Sequence, residues 1–221
     1  MLTGPSLTPS TTLGFLGFGR IAQSVLSRLL PFGPKRALYH TRTPRDDAAL
    51  SKELGCDVEW VDQERLAKEA DVLFVLCPGG KSTEGLVGEE WLGRMRETAV
   101  LVNTARVSLD LVKTQGSGVV GAGGMTDLPC FGHLSASEQP QGSVVDSAAL
   151  AAALSSGKIF AAGLDVLDGE PNIPADHPLV LEPRCAILPH IGSATKDCRD
   201  QMGALCEFLL PDFTAPSSHE H

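Results

Sequence analysis

The chain has 221 residues, a hydrophobic content of 43%, a charged content of 20% and a formal net charge of −9. This length allows one or two domains with a buried core, and the composition is typical of a soluble globular protein. The acidic balance leaves no basic face for phosphates, which argues against nucleic-acid binding. No apolar run approaches the ~20 residues of a membrane span, and the N-terminus lacks a signal pattern. We therefore expect no nucleic-acid or membrane partner.

The six cysteines form no Cys-x-x-Cys pair, and their spacing suggests neither a zinc site nor a disulfide framework. Reduced thiols are the simplest interpretation. They favour a cytoplasmic protein without a metal site.

Short apolar strands alternate with helical stretches along most of the chain. Strands are predicted at residues 13–17, 37–40, 71–76, 98–103, 159–165 and 185–188, with a further short one at 58–61. The predicted helices between them begin near residues 21, 46, 63, 89 and 147. This alternation predicts an α/β fold, a doubly wound parallel sheet of the Rossmann type. We expect residues 1–221 to form a single domain of this kind.

Residues 107–141 interrupt this pattern, because they contain many glycines and prolines but no clear apolar period. We predict an irregular insertion there, since such a long structureless stretch is unusual inside a domain. The tail over residues 211–221 is similarly irregular, and we predict that it is disordered.

A dinucleotide-binding fingerprint follows the first predicted strand. In Gly17-x-Gly19-x-x-Ala22, the first glycine permits a tight turn and the second lets the backbone approach a pyrophosphate. The small Ala22 allows the helix to pack closely on the strand, and the helix N-terminus offers free N–H groups to the phosphates. The alternative is a glycine-rich turn that serves packing alone. The position of the fingerprint between a strand and a helix favours nucleotide binding.

The end of the second predicted strand bears on the choice of cofactor. NAD sites usually carry an acidic residue about 20 residues beyond the fingerprint for the ribose 2′-hydroxyl, whereas arginine suits a 2′-phosphate. No acid occurs here before Asp46, and Arg42 and Arg45 can bind a phosphate with Thr41 and Thr43 as hydroxyl donors. The sequence therefore favours NADP(H), with NAD(H) as the alternative. Two surface arginines without a ligand are the competing interpretation.

Glu170 and His190 form the pair most suggestive of proton transfer. A carboxylate can hold one ring nitrogen of an imidazole and favour its charged form, which leaves the other nitrogen to exchange a proton. Most His and Glu side chains are structural or solvated, so such a pair alone indicates little. Its occurrence downstream of a nucleotide fingerprint makes it a candidate catalytic pair.

Several motifs, in the same order along the chain, resemble the D-isomer-specific 2-hydroxyacid dehydrogenase family. They are LGFGRI (16–21), VLVNTAR (100–106), SGKI (156–159), AGLDV (162–166), EP (170–171) and LPHIGSAT (188–195). The resemblance covers about residues 5–106 and 142–208. It is greatest to glyoxylate/hydroxypyruvate reductases, because the string TRTPR (41–45) replaces the acid-ended strand of NAD-linked members.

The resemblance implies hydride transfer between a nicotinamide cofactor and a small 2-oxo or 2-hydroxy acid, here reduction of glyoxylate or hydroxypyruvate. It implies that Arg106 binds the substrate carboxylate and polarises the ketone, that His190 protonates the ketone oxygen, and that Glu170 keeps His190 protonated. The cofactor-binding residues that it implies are Gly17, Gly19, Arg20, Ile21, Thr41, Arg42, Arg45, Thr83, Thr104, Ala105, Asp165 and Gly192.

Three departures from the family pattern bear on activity. The family's long N-terminal segment does not precede the fingerprint here, so we expect the substrate domain to be largely missing and water to reach the cleft.

Removing residues 107–141 joins Arg106 to Gly142 and restores the family's string. We therefore hypothesise a retained intron or gene-model error, the alternative being a real insertion that covers the site. The family's long C-terminal helix gives way to a polar tail, so its crossing to the substrate domain is expected to be lost.

Three interpretations of function remain open on sequence alone. The intact Arg106, Glu170 and His190 favour an NADP(H)-preferring dehydrogenase whose activity is impaired by truncation. The rivals are a non-catalytic NAD(P)-binding sensor, as corepressor relatives are, and an inactive fragment. Members of the family are commonly dimers, so a homodimer is the alternative to a monomer.

Overall fold

A parallel sheet flanked by helices forms the main body of the molecule. The computed structural model describes residues 4–105, 143–170 and 172–209. Its strands are β1 (Thr12–Leu16), β2 (Arg36–His40), β3 (Asp57–Trp60), β4 (Val72–Val75), β5 (Val100–Asn103), β6 (Ala161–Leu164) and β7 (Cys185–Ile187). Its α-helices are α1 (Arg20–Leu29), α2 (Asp47–Leu54), α3 (Gln63–Glu69), α4 (Glu89–Arg94), α5 (Ser147–Ser155), α6 (Pro178–Leu181) and α7 (Lys196–Leu209).

The seven strands lie in the order β3-β2-β1-β4-β5-β6-β7, and every neighbouring pair is parallel. The strand numbers fall from β3 to β1 and rise again from β4, so the order reverses between β1 and β4. This is the doubly wound Rossmann arrangement, and the prediction of fold class is confirmed. In such sheets ligands bind in the crevice outside the carboxyl ends of the strands where the order reverses.

Most predicted elements lie within a few residues of the observed ones. The helix predicted to begin at residue 147 is α5, and Asp146 caps it by accepting hydrogen bonds from Ala148 N (2.9 Å) and Ala149 N (3.0 Å). The strands predicted at 98–103 and 159–165 begin two residues later, since the ladder starts with the pairing of Val100 and Ala161. The preceding apolar residues, Ala99 and Ile159, are fully buried without belonging to either strand.

Side chains alternate between the two faces of the sheet and build two hydrophobic clusters. Phe15 of β1 and Tyr39 of β2 belong to the cluster that contains the buried face of α1. Leu16 and Leu38, their neighbours in the chain, belong to the cluster that contains α3, α4 and α5. Because successive strand residues point to opposite faces, helices cover the sheet on both sides.

Several sequence predictions concern residues that the structure does not describe. Arg106, the insertion at 107–141 and the tail at 211–221 lie outside the described residues. The chain divides into two units between Ile187 and Leu188, and the second contains α7. The assignment of 1–221 to one NAD(P)-binding domain stays a prediction.

Within the described ranges, no helix has the length and apolar character needed to cross a membrane.

Candidate functional site

The fingerprint forms a tight turn between β1 and α1 that only glycine can make. Gly17 has a φ of +93°, and a Cβ added there would lie 2.6 Å from Cys77 N and 2.9 Å from Leu76 C. Both the backbone conformation and the close approach of the chain after β4 therefore exclude a side chain. The Gly17 N–H donates to His40 O over 2.9 Å, which joins the turn to the end of β2.

The N-terminus of α1 is open next to this turn. A Cβ added at Gly19 would meet no atom within 4 Å, and Gly19 caps the helix without a side-chain hydrogen bond. The first turn of α1 carries no acidic residue. Ile21 in that turn is 69% exposed although it is apolar, whereas Ala22 is fully buried against the sheet. Free N–H groups at a helix start, with space beside them, suit the phosphates of a dinucleotide.

The loop after β2 brings positive charge to the same edge of the sheet. Arg42 and Arg45 are both exposed, and the Thr41 hydroxyl donates to Thr43 O over 2.8 Å. Burial raises the pKa of the Cys77 thiol, whereas its own backbone hydrogen bond and the charge of Arg42 act in the opposite direction. The charge of Arg42 is therefore felt at the residue that borders the Gly17 turn. An anion in this crevice would meet the same favourable charge.

The two acids that follow this loop both accept hydrogen bonds within the chain, Asp46 at the surface and Asp47 in a partly buried position. Asp46 caps α2 by accepting from Ala49 N over 3.0 Å. Asp47 accepts from the Tyr39 hydroxyl at Oδ1 (2.7 Å) and from Trp60 N at Oδ2 (2.8 Å). Asp47 thus has both carboxylate oxygens in hydrogen bonds, whereas the exposed Asp46 caps the helix through Oδ1. Sequence reasoning did not identify Tyr39 or Asp47, although a lone tyrosine in a buried strand signals a polar partner for its hydroxyl.

The ends of β5 and β6 supply the other predicted residues of this edge. Thr104 N donates to Val75 O over 3.3 Å, and Asp165 N donates to Asn103 O over 2.9 Å. The buried Asn103 side chain accepts from Ala105 N over 3.0 Å, and Ala105 is itself only 5% exposed. Asn103 was not among the predicted residues, but its carboxamide holds the chain that leads toward Arg106.

Thr83 lies in the turn between β4 and α4. Its hydroxyl donates to Pro78 O over 2.9 Å and approaches Gly80 O at 3.2 Å. Both acceptors are backbone atoms of the same loop, so in this structure Thr83 shapes the loop that follows β4. Its predicted contact with the cofactor stays a prediction.

Glu170 and His190, the candidate proton-transfer pair, belong to different units of the chain. Glu170 Oε1 accepts from Leu167 N over 2.8 Å, which orients the carboxylate in the turn after β6. His190 lies in the second unit with Gly192 and has a φ of +52°, an uncommon backbone conformation for a residue with a side chain. Backbone in such regions often occurs at functional positions. The pairing of the two side chains stays a prediction.

Comparison with known proteins identifies the family of the chain. The family model described as D-isomer specific 2-hydroxyacid dehydrogenase, NAD binding domain, matches residues 4–115 and 140–192. The glyoxylate reductase/hydroxypyruvate reductase of Homo sapiens is 38% identical over 204 residues, which cover 92% of this chain and 50% of that protein. The chain thus spans about half the length of the curated relatives it matches.

Solved structures show the same relationship. The TT0316 protein from Thermus thermophilus matches with a TM-score of 0.66 and 36% identity, over 90% of this chain and 49% of that one. An NADPH-dependent glyoxylate/hydroxypyruvate reductase from Sinorhizobium meliloti, in complex with NADP and malonate, has a TM-score of 0.66 and 30% identity, over 93% and 51%. Together with the Rossmann topology, these matches place the chain in the D-isomer-specific 2-hydroxyacid dehydrogenase family of oxidoreductases, to which it belongs through the NAD-binding domain.

Proposed function

We propose that this chain binds NADP(H) at the carboxyl ends of β1 and β4 and serves the reduction of a small 2-oxo acid such as glyoxylate or hydroxypyruvate. One observation carries the proposal: the open N-terminus of α1 lies on the same sheet edge as a cationic loop. The substrate class rests on the relatives named above, which are glyoxylate/hydroxypyruvate reductases.

The residues of this edge fit a dinucleotide with a 2′-phosphate. The pyrophosphate would bind the N–H groups at the start of α1, where Gly19 leaves space and Arg20 adds positive charge. The exposed Ile21 would be covered by the cofactor, which gives its exposure a function. Arg42 and Arg45 would bind the 2′-phosphate by charge-assisted hydrogen bonds. The engagement of both carboxylate oxygens of Asp47 by Tyr39 and Trp60 supports NADP(H) over NAD(H).

The catalytic roles fall to residues of the family motifs. When bound, a nicotinamide cofactor supplies or accepts a hydride. Arg106 would bind the substrate carboxylate and polarise the ketone, while His190 would donate a proton to the ketone oxygen. Glu170 would position His190. The hydrogen bond that Glu170 accepts from Leu167 N orients its carboxylate. The remaining residues proposed to line the cofactor are Thr41, Thr83, Thr104, Ala105, Asp165 and Gly192.

The experiment that tests this function measures binding and turnover separately on the 221-residue chain. Calorimetric titration gives the Kd for NADPH and NADH, and NADPH oxidation is then followed with glyoxylate or hydroxypyruvate. Binding with turnover is the expected result. Tight binding without turnover would favour the alternative of a non-catalytic NAD(P)-binding sensor. The absence of both binding and turnover would indicate an inactive fragment.

Cofactor choice is tested by Arg42→Ala. Removing a charge-assisted hydrogen bond costs about 1.5–3 kcal/mol, so NADPH binding should weaken by roughly 10–100-fold while NADH binding changes little. Arg94→Ala is the matched control, because Arg94 is an exposed arginine that pairs with Glu90 in α4. An equal effect of Arg42→Ala on both cofactors would refute the assignment to NADP(H).

We also propose that residues 107–141 are not part of the evolved domain. The family model leaves out residues 116–139, which are most of this stretch, although it includes residues 107–115 and 140–141. On either side, Ala105 and Val144 are buried in the same core cluster, and Val87 N donates to Val144 O over 3.0 Å. Sequencing of spliced mRNA should show a dominant transcript without these codons. A dominant transcript that encodes them would favour a real insertion that covers the site.

Two further expectations stay predictions of the proposal. A cytoplasmic location follows from the interpretation of the cysteines as reduced thiols, and fractionation of cells would test it. A homodimer is expected because members of the family are commonly dimers, and sedimentation of the purified chain would test it.

A further inference from the structure

A buried tyrosine links the fingerprint to the loop after β2. The Tyr39 side chain is fully buried, and its ring stacks on that of Phe18 with centroids 4.6 Å apart. Phe18 lies between the two glycines of the fingerprint. The Tyr39 hydroxyl accepts from Arg45 N over 3.0 Å and donates to Asp47 Oδ1 over 2.7 Å. One side chain therefore contacts the turn and holds the last residue of the loop.

The same network of hydrogen bonds also holds Thr41, the first residue of the loop. Asp47 Oδ2 accepts from Trp60 N over 2.8 Å, and Trp60 Nε1 donates to Thr41 O over 3.0 Å. Tyr39, Asp47 and Trp60 are termed the loop anchor below. Thr41 and Arg45, the two ends of the loop, are thus each bound at a backbone atom by a residue of the loop anchor.

The surroundings of the loop anchor make it stiff. Burial, followed by the hydrogen bond to Asp47, raises the pKa of Tyr39 to about 12, so the hydroxyl remains protonated and able to donate at ordinary pH. Partly buried hydrogen bonds are costly to leave unmade, because the abandoned donor or acceptor is not fully rehydrated. A loop held in this way loses less conformational freedom when it binds an anion.

We propose that the loop anchor sets the preference for NADP(H) over NAD(H). It holds the loop backbone so that Arg42 and Arg45 are preorganised for a 2′-phosphate, and it keeps the Asp47 carboxylate away from the ribose. This inference rests on the proposed function, because it requires the loop to bind the 2′-phosphate. The three residues act as positioning residues.

Tyr39→Phe tests the proposal, because it removes the hydroxyl and keeps the ring that stacks on Phe18. Calorimetric titration of the full chain should show a Kd for NADPH about 10-fold higher and a Kd for NADH changed less than about 2-fold. Ser51→Ala is the matched control: Ser51 joins α2 to β3 through Val58 N (2.9 Å) and Val58 O (3.3 Å) without touching the loop. The control should leave the ratio of the two Kd values unchanged.

Asp47→Asn provides a second test in which two physical effects have opposite signs. Removal of a negative charge near the loop would by itself strengthen NADPH binding. The asparagine amide can accept from Trp60 N only if its NH2 group faces the Tyr39 hydroxyl, which then loses the acceptor of its proton, so the loop anchor predicts weaker NADPH binding instead. Stronger NADPH binding by this variant would overturn the proposal, and so would an unchanged Kd ratio in Tyr39→Phe. An equal change of ratio in Ser51→Ala would overturn it as well.

Arg42→Ala separates a failure of this inference from a failure of the proposed function. If Arg42→Ala weakens NADPH selectively but Tyr39→Phe leaves the ratio unchanged, the loop anchor alone is refuted. If Arg42→Ala affects both cofactors equally, the loop does not bind a 2′-phosphate, and both proposals are refuted.

Discussion

The turn at residues 17–19 and the loop at residues 41–45 share one edge of the sheet but are built in opposite ways. The turn depends on missing side chains: Gly17 leaves room for the backbone at Cys77, and Gly19 leaves the start of α1 open. The loop depends instead on the exposed side chains of Arg42 and Arg45 and on Tyr39, which is buried beside the loop. In the proposed function, the turn binds the pyrophosphate that both cofactors share, and the loop distinguishes the two cofactors.

This difference has a practical consequence for variants. A change in the turn should alter the affinity for NADPH and NADH together, because it acts on their common part. A change in the loop should alter the ratio of the two affinities. The predictions below use this contrast, with stability as an independent measurement.

Gly17→Ala should have the largest effect. A side chain at a φ of +93° is strained, and its Cβ would lie 2.6 Å from Cys77 N. Strain and overpacking together should lower the free energy of unfolding by about 2–4 kcal/mol and abolish binding of both cofactors. Urea unfolding and calorimetry measure the two effects. Gly93→Ala in α4, which meets no atom within 4 Å, is the control and should not destabilise. Normal stability of Gly17→Ala would contradict the described turn.

Gly19→Ala should separate binding from stability. Its φ of −82° suits alanine and no atom lies within 4 Å of the added Cβ, so the free energy of unfolding should fall by less than about 1 kcal/mol, the cost of a poorer N-cap. The methyl group would occupy the space beside the helix N–H groups, so both cofactors should bind at least roughly 10-fold more weakly, with an unchanged ratio. Unaltered affinity for both would show that the pyrophosphate binds elsewhere.

Asp46→Ala should have the smallest effect on binding and tests whether this acid serves the cofactor or the helix. Loss of the cap on α2 should cost about 1 kcal/mol of stability. NADH affinity should not change, and NADPH affinity should rise by about 2-fold because a nearby negative charge is removed. Selective weakening of NADH would show that Asp46 binds the ribose, and the contrast between turn and loop would then describe an NAD site.

The amino-acid sequence alone determined the local parts of this protein. Apolar runs and glycine positions predicted the strands, the helices and the fingerprint, because these features depend on neighbouring residues. Strand starts near Ala99 and Ile159 were predicted too early, since an apolar residue can be buried without joining the ladder. Arg42 and Arg45 were predicted to bind a 2′-phosphate, because they follow the second strand where NAD sites carry an acid, and this stays a prediction.

Only the tertiary structure decided how the distant parts meet. The packing of Gly17 against Cys77 and the hydrogen bonds from Tyr39 through Asp47 to Trp60 join residues on different strands and helices. A polar residue in a sequence shows that it needs a partner but not which partner it has, because that depends on strand order and register. The glycine turn between β1 and α1 could therefore be predicted from the sequence, while the network proposed to set cofactor preference became visible only in the folded chain.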